Sequence, residues 1–191
     1  MNNEFVFLRH ALTKIDSTIR AEQWELSEEG KKNIREIVQR GTFDDINVII
    51  SSAEKKAYHT AAFIAFRLNK EVTEISDFNE LKRGYYYISS KEEYEKKVEK
   101  VFLNKDESIE GWESAKITLR RFLHALDYLN FHYSNKRILV VCHGINLSLY
   151  FADLMQIPDE QIFSRWKKLE FCAWGIVKDN RVIKDIISAK K

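Results

Sequence analysis

Short apolar runs alternate with helical periodicity along most of this chain. Phe5 to Leu8 is an unbroken apolar run of strand length, closed by Arg9. From Ser27 the period changes. Ile34, Ile37 and Val38 share a helical face, Ser27 can cap the free N–H groups, and Glu28 and Glu29 suit the positive end of a helix. Gly41 is a plausible stop. Asn47 to Ile50 predicts a second strand. Ala57, Ala61, Ile64 and Leu68 then predict a helix, and Glu71 to Ile75 a weaker strand. Residues 82–107 are rich in Lys, Glu and Tyr, yet Tyr94, Val98, Val101 and Phe102 keep helical spacing, as in a surface helix with a solvated side. A longer helix should turn Ala115, Leu119, Phe122, Leu123, Leu126 and Leu129 inward. Arg137 to Val141 is the most strand-like run. It ends at His143-Gly144, where a helix through Leu147, Phe151 and Leu154 begins. Ala173 to Val177 and Arg181 to Ile183 flank Asp179-Asn180, a two-residue hairpin turn.

Strands alternating with helices argue for an α/β fold, a three-layer αβα sandwich with a mostly parallel central sheet and helices on both faces. The closing hairpin adds antiparallel pairing. Ligands of such sheets bind beyond the carboxyl ends of the strands. That rule selects Arg9-His10, Ser51-Ser52 and His143-Gly144 for inspection. With 191 residues, one proline, six glycines, no linker and no repeat, the chain reads as one domain over 1–191, with a small insert at about 82–110 over the active site.

Charge narrows the partners. There are 31 Lys and Arg against 29 Asp and Glu, a net charge of +2, which argues against a nucleic-acid binder. No stretch has the apolar length of a membrane span, and the start reaches Arg9 before any useful apolar core for a signal peptide. Cys142 and Cys172 are too few and too far apart for a disulfide framework or a metal knuckle, so both read as small buried hydrophobes. A cytoplasmic setting is the expectation. The histidines do not form HExxH and there is no GxxxxGK[ST] loop.

Two strands end in histidine, His10 and His143. One such histidine is more often structural, but two at one sheet edge point to chemistry. Arg9 adds a planar permanent cation suited to phosphate or carboxylate. Gly144 permits close backbone approach at a helix start, where N–H groups favour an anion. Cys142 beside His143 invites a Cys–His reading, but neighbouring strand residues face opposite ways, and Cys142 is assigned to the core.

These residues carry a resemblance. Phe7-Leu8-Arg9-His10-Ala11-Leu12-Thr13 resembles the Arg-His-Gly signature of the histidine phosphatase superfamily, also called phosphoglycerate mutase-like. Leu26-Ser27-Glu28-Glu29-Gly30 is similar to its Leu-Thr-x-x-Gly helix start. Ser51-Ser52-Ala53-Glu54-Lys55-Lys56-Ala57-Tyr58-His59-Thr60-Ala61 resembles its Ser-Ser-Pro-x-x-Arg-Ala-x-x-Thr-Ala segment. Asn79-Glu80-Leu81 with Gly84, Glu113-Ser114 followed by Arg120 or Arg121, and Val140 to Gly144 follow in the family's order.

The resemblance implies a phosphoglycerate mutase-like fold and roles residue by residue. His10 would be the nucleophile that becomes a phosphohistidine. Arg9, Lys56 and His143 would hold the phosphate oxygens, with Gly144, Thr13 and Arg83 as further substrate-binding candidates. Glu80 would protonate the leaving alcohol and then activate water, with Glu74 and Asp77 as nearby rivals. Lys82, Arg83 and Tyr85 to Tyr87 would be rim residues. Departures are Ala11 for the signature's Gly, Lys56 at the usual second arginine, Trp112 before the Glu-Ser pair, and Asp16 near a mutase Asn. Lys56 keeps the charge but loses the bidentate fork, so a weaker phosphate grip is expected; it also has a competing reading as a solvated helix residue. The expectation is a metal-independent phosphatase without cofactor, acting on a small phosphorylated metabolite, with no nucleic-acid or membrane partner and a homodimer left open. The alternatives are a phosphoglycerate mutase-type phosphotransferase or a catalytically weakened phosphate-binding module.

Overall fold

The computed structural model describes residues 2–84 and 88–187, so Tyr85, Tyr86 and Tyr87, read as rim candidates, lie outside the described residues. Six strands form one sheet: β1 (Glu4–Arg9), β2 (Val48–Ser51), β3 (Val72–Glu74), β4 (Arg137–Cys142), β5 (Trp174–Lys178) and β6 (Arg181–Lys184). Their order is β3-β2-β4-β1-β5-β6. The first four pair in parallel, while β5 and β6 join antiparallel. Asp179 and Asn180 both take positive φ, at 50° and 56°, as the primed hairpin turn requires.

Alternation along β1 sorts its side chains into two cores. Phe5 and Phe7 join Phe122 and Leu126 of α4 (Ala115–His132) and Phe151 of α5 (Gly144–Leu154). Val6 and Leu8 join Ile34 and Val38 of α1 (Glu28–Gln39) and Ala57, Ala61 and Ile64 of α2 (Lys55–Leu68). The sheet is therefore covered by helices on both faces. Cys142 lies in the core with Phe7, on the face opposite Leu8. Among the described residues no helix is long and apolar enough to cross a membrane.

A third core lies beyond the strand ends. Val98, Val101 and Phe102 of α3 (Lys91–Leu103) pack with Trp112, with Ile145 and Leu149 of α5, and with Ile162 of α6 (Asp159–Lys168). Thus α3 is anchored against α5 and α6.

Two expectations need correction. Leu123 is exposed rather than inward. Successive helix positions turn by about 100°, which carries Leu123 off the stripe of Ala115, Phe122, Leu126 and Leu129. Helix α6 was not expected, because Ile162 is its one fully buried side chain. Its ends do carry a helix signature, with Pro158 before Asp159 and Glu160 and with Arg165, Lys167 and Lys168 in the last turn.

Candidate active site

The parallel register of β1 and β4 brings the two histidines together. Arg9 pairs with Cys142, so the next residue on each strand is His10 and His143. His10 N–H donates to Cys142 O at 3.0 Å, and the ring centroids stand 5.2 Å apart. Strand β2 lies on the other side of β4. Ser52 N–H donates to Val141 O at 3.0 Å, which places Ser52 Oγ 2.6 Å from His143 Nε2.

His10 Nδ1 sits 2.8 Å from Ala11 O. A carbonyl only accepts, so Nδ1 carries the proton and Nε2 keeps its lone pair. Burial, then the nearby His143, Lys56 and Arg9, hold the His10 imidazole well below its usual pKa of 6.5. His10 is therefore neutral and nucleophilic near neutral pH. His143 is held well below its usual range too, by burial and by Lys56 and Arg83. Its Nδ1 is buried without a hydrogen-bond partner. Ser52 Oγ accepts from Glu54 N–H at 3.3 Å; when it donates its own proton to Nε2, His143 carries a proton on Nδ1, free for an oxyanion.

Arg9 is held from behind. Its Nη1 donates to Leu169 O, and its guanidinium lies 4.1 Å from the centroid of the Phe171 ring. Its Nε is buried and unpartnered. A Cβ on Gly144 would come within 3.3 Å of that guanidinium and of Trp166 Nε1, so this glycine makes room for Arg9.

Glu80 sits at the N-terminal end of α5. Its carboxylate accepts from Ile145 N–H at 3.2 Å, Asn146 N–H at 3.3 Å and Leu81 N–H at 3.1 Å. Burial pushes its pKa up, opposed by Arg83 and reinforced by Glu54. A carboxylic acid that keeps its proton to higher pH suits a proton donor. The surrounding loop is braced by Arg121, which donates to Asp77 O at 2.7 Å, Asn79 O at 2.6 Å and Glu80 O at 3.0 Å, and to both oxygens of Glu113. Of the two arginines left open by the sequence, Arg121 is the one that serves this site. The rival Glu74 ends β3 and is exposed, and Asp77 pairs with the exposed His124 at 3.0 Å.

Lys56 is buried, which removes its reading as a solvated residue. Its Nζ donates to Ala21 O at 2.9 Å and forms an ion pair with Glu54. Glu54 is the site residue that the motif comparison passed over. Its second oxygen accepts from Glu80 N–H at 2.6 Å and lies 3.7 Å from His143 Nε2. One carboxylate thus links the cation, the acid's backbone and the second histidine. A glutamate two residues before a lysine at a helix start was the available signal.

Arg9, His10, Thr13, Lys56, Glu80 and Arg83 line one cavity of about 610 Å³. His143 and Gly144 are buried and do not line it; His143 adjoins it through His10. Arg83 Nη1 donates to Tyr94 Oη of α3 at 3.2 Å. Lys82 is exposed and stands outside this lining. Trp112 is buried on the cavity wall. Among the described residues no three His, Cys, Asp or Glu side chains group as a metal site.

A model of the histidine phosphatase superfamily (branch 1) matches residues 5–180. No curated protein sequence matches the chain significantly. Among solved structures, a mycobacterial glucosyl-3-phosphoglycerate phosphatase superposes with a TM-score of 0.77 at 18% identity, over 98% of this chain and 100% of that one. Bacillus stearothermophilus YhfR superposes with a TM-score of 0.75 at 16% identity, over 95% of each chain. Phosphoserine phosphatase from Entamoeba histolytica, bound to phosphoserine, superposes with a TM-score of 0.72 at 20% identity, over 95% of this chain and 94% of that one. These likenesses establish the α/β fold.

Proposed function

This chain belongs to the histidine phosphatase superfamily, and from that membership we propose a metal-independent phosphatase that hydrolyses a phosphomonoester through a phosphohistidine on His10. The observation that carries the reading is the pinned His10 tautomer. Nδ1 is held at 2.8 Å by Ala11 O, leaving Nε2 as the nucleophile, with an acid of raised pKa, Glu80, in the same cavity.

His10 Nε2 attacks phosphorus in line while the bond from phosphorus to the alcohol oxygen breaks. The leaving oxygen takes the proton of Glu80. Arg9 Nε and His143 Nδ1, both buried and unpartnered, are the donors for the phosphoryl oxygens. The Lys56 ammonium adds charge in the same lining. The Glu80 carboxylate then removes a proton from water, whose oxygen attacks phosphorus as the bond to Nε2 breaks. Phosphate leaves and the neutral imidazole is restored.

The test is phosphate release from p-nitrophenyl phosphate in the presence of a chelator. Wild type is expected to turn over and to trap a labelled phosphohistidine after rapid quench, and His10→Ala to do neither. Equal rates for the two proteins would sink the reading. The buried Glu54–Lys56 pair favours one alternative, a phosphate-binding module weakened in chemistry. Vanadate binding without labelling of His10 would select it.

A further inference from the structure

We propose that the site takes phosphomonoesters of a bulky, apolar alcohol, with an aromatic ring as the best fit, in preference to small polar ones. This rests on the phosphatase reading and names its substrate class. The cavity of about 610 Å³ is far larger than one phosphate group needs, and it falls in the range of pockets that enclose drug-sized ligands. Its polar groups for a phosphate gather at the floor, around Arg9, His10, Lys56 and Glu80. The space above them is walled by three separate parts of the chain.

The first wall is the segment between Thr13 and Leu26, two residues joined by an isolated bridge. It brings Ile15, Ile19 and Trp24 to the cavity, with Ser17, Thr18, Arg20 and Glu22 between them. The second is the stretch from Ile88 to Trp112, with Tyr94 and Trp112, whose rings stand 5.7 Å apart. The third runs from α6 to β5 with Trp166 and Phe171. Three distant stretches of sequence therefore each contribute aromatic or branched aliphatic side chains to one space.

Exposure at the mouth points the same way. Ile15 is 63% exposed, Ile19 44% and Phe171 37%. Single exposed apolar residues are ordinary, but a cluster around a cavity marks a surface that a ligand covers. An aromatic leaving group would remove that surface from water. A small polar alcohol would leave it wet.

The experiment compares 2-phenylethyl phosphate with ethyl phosphate. The two leaving alcohols have closely similar acidity, so a difference reports contacts and not leaving-group chemistry. A hydrophobic pocket discriminates roughly 10–200-fold per methylene-sized change, so kcat/KM is expected to favour the phenylethyl ester by about tenfold or more. Isothermal calorimetry of 2-phenylethylphosphonate and ethylphosphonate, which cannot be hydrolysed, should show the same preference in wild type and in His10→Ala. The double variant Ile15→Ser, Ile19→Ser removes exposed wall residues only. It should lower kcat/KM for the phenylethyl ester several-fold more than for ethyl phosphate. A phenylethyl-to-ethyl ratio near one, or higher kcat/KM for phosphoserine or 3-phosphoglycerate, would overturn the proposal. So would an equal loss on both esters in the double variant. Failure of the phosphatase reading looks different: no ester is hydrolysed, while the phosphonate preference remains.

Discussion

The floor and the walls of the cavity are built in different ways. The floor is framed by His10, Ser52 and His143, each one position beyond its strand, and backbone bonds from His10 N–H to Cys142 O and from Ser52 N–H to Val141 O set their spacing; Lys56 of α2 and Glu80 of the loop after β3 are brought in beside them. The walls come from loops and from α3 and α6, joined by side-chain packing such as that of Tyr94 against Trp112 and Trp166. A floor held by sheet register cannot shift without unfolding the sheet. Walls held by packing can be rebuilt one side chain at a time. The comparison therefore assigns chemistry to the floor and choice of substrate to the walls.

Removing the proposed proton donor, Glu80, from the floor should give the largest effect. Glu80→Gln keeps an acceptor for the Asn146 and Leu81 N–H groups, loses the one that takes the Ile145 N–H, and has no acidic proton to transfer. The expected loss is about 10²–10⁴-fold in kcat for alkyl phosphates. It should be much smaller for p-nitrophenyl phosphate, whose alcohol leaves as a stable anion. A change of equal size on both substrates would mean that Glu80 positions the site and is not its acid. The order of preference among alkyl esters should survive, because the walls are untouched.

The next effect concerns the floor's internal charge. Glu54 and Lys56 form a pair that is almost wholly buried. Glu54→Gln leaves the ammonium buried with Ala21 O as its acceptor. Breaking such a pair from one side costs about 3–5 kcal/mol of stability, read from the urea midpoint. Adding Lys56→Met should recover much of the loss, because a buried pair removed from both sides is often neutral. If the single and double variants are equally unstable, the pair is not what holds this corner. By contrast, Ile15→Ser and Ile19→Ser in the wall should leave the midpoint almost unmoved, because both side chains are already exposed.

How much could be read from the sequence follows the same division. His10, His143 and Ser52 were legible because a strand end fixes where the next residue goes. Arg9 was legible from the same strand end, and Glu80 by resemblance. Glu54 was not, since its partners Lys56, Glu80 and His143 come together only after three separate segments fold. Nor could spacing choose between Arg120 and Arg121, as they differ by one helical step and only the fold shows which reaches the Glu80 loop. Helix α6 was missed because periodicity detects a wide buried stripe, and this helix buries one side chain fully. The walls were the least legible part. Trp24, Trp166 and Phe171 carry no local signal that they face one cavity.

One position ties wall to floor. A Cβ on Gly30 would lie 2.1 Å from Leu12 O. That carbonyl accepts from Ser27 N–H at 2.9 Å and precedes Thr13 at the cavity. Helix propensity alone says Gly30→Ala should stabilise α1 by roughly 0.5–1 kcal/mol. The contact with backbone outweighs this, since overpacking costs about 1–3 kcal/mol. The urea midpoint should fall, with a rise in KM as the Leu12–Thr13 segment shifts. A raised midpoint would show that the loop yields freely and that wall and floor are independent there.

The smallest effect is gradual, and it belongs to the floor. His10 and His143 are both held well below the ordinary pKa of 6.5, chiefly by burial. In the unfolded chain each titrates near that ordinary value. Between it and the depressed folded value the unfolded chain holds more protons, so stability falls as pH drops below 6.5. The slope is at most about 1.4 kcal/mol per pH unit for each ring. His59, lowered by partial burial, adds the same sign. Glu80 acts oppositely. Its raised pKa gives stability that is fully present below 4.5 and is lost as pH rises through its folded value, so it offsets part of the decline where the windows overlap. Urea midpoints measured from about pH 7.5 down to about pH 5.5 should stay nearly level to about 6.5 and fall below it. His143→Asn should flatten that profile, because Asn cannot take up the proton that the unfolded histidine would. A flat wild-type profile would mean that the rings titrate alike folded and unfolded, and that the floor is open to water in the way the walls are.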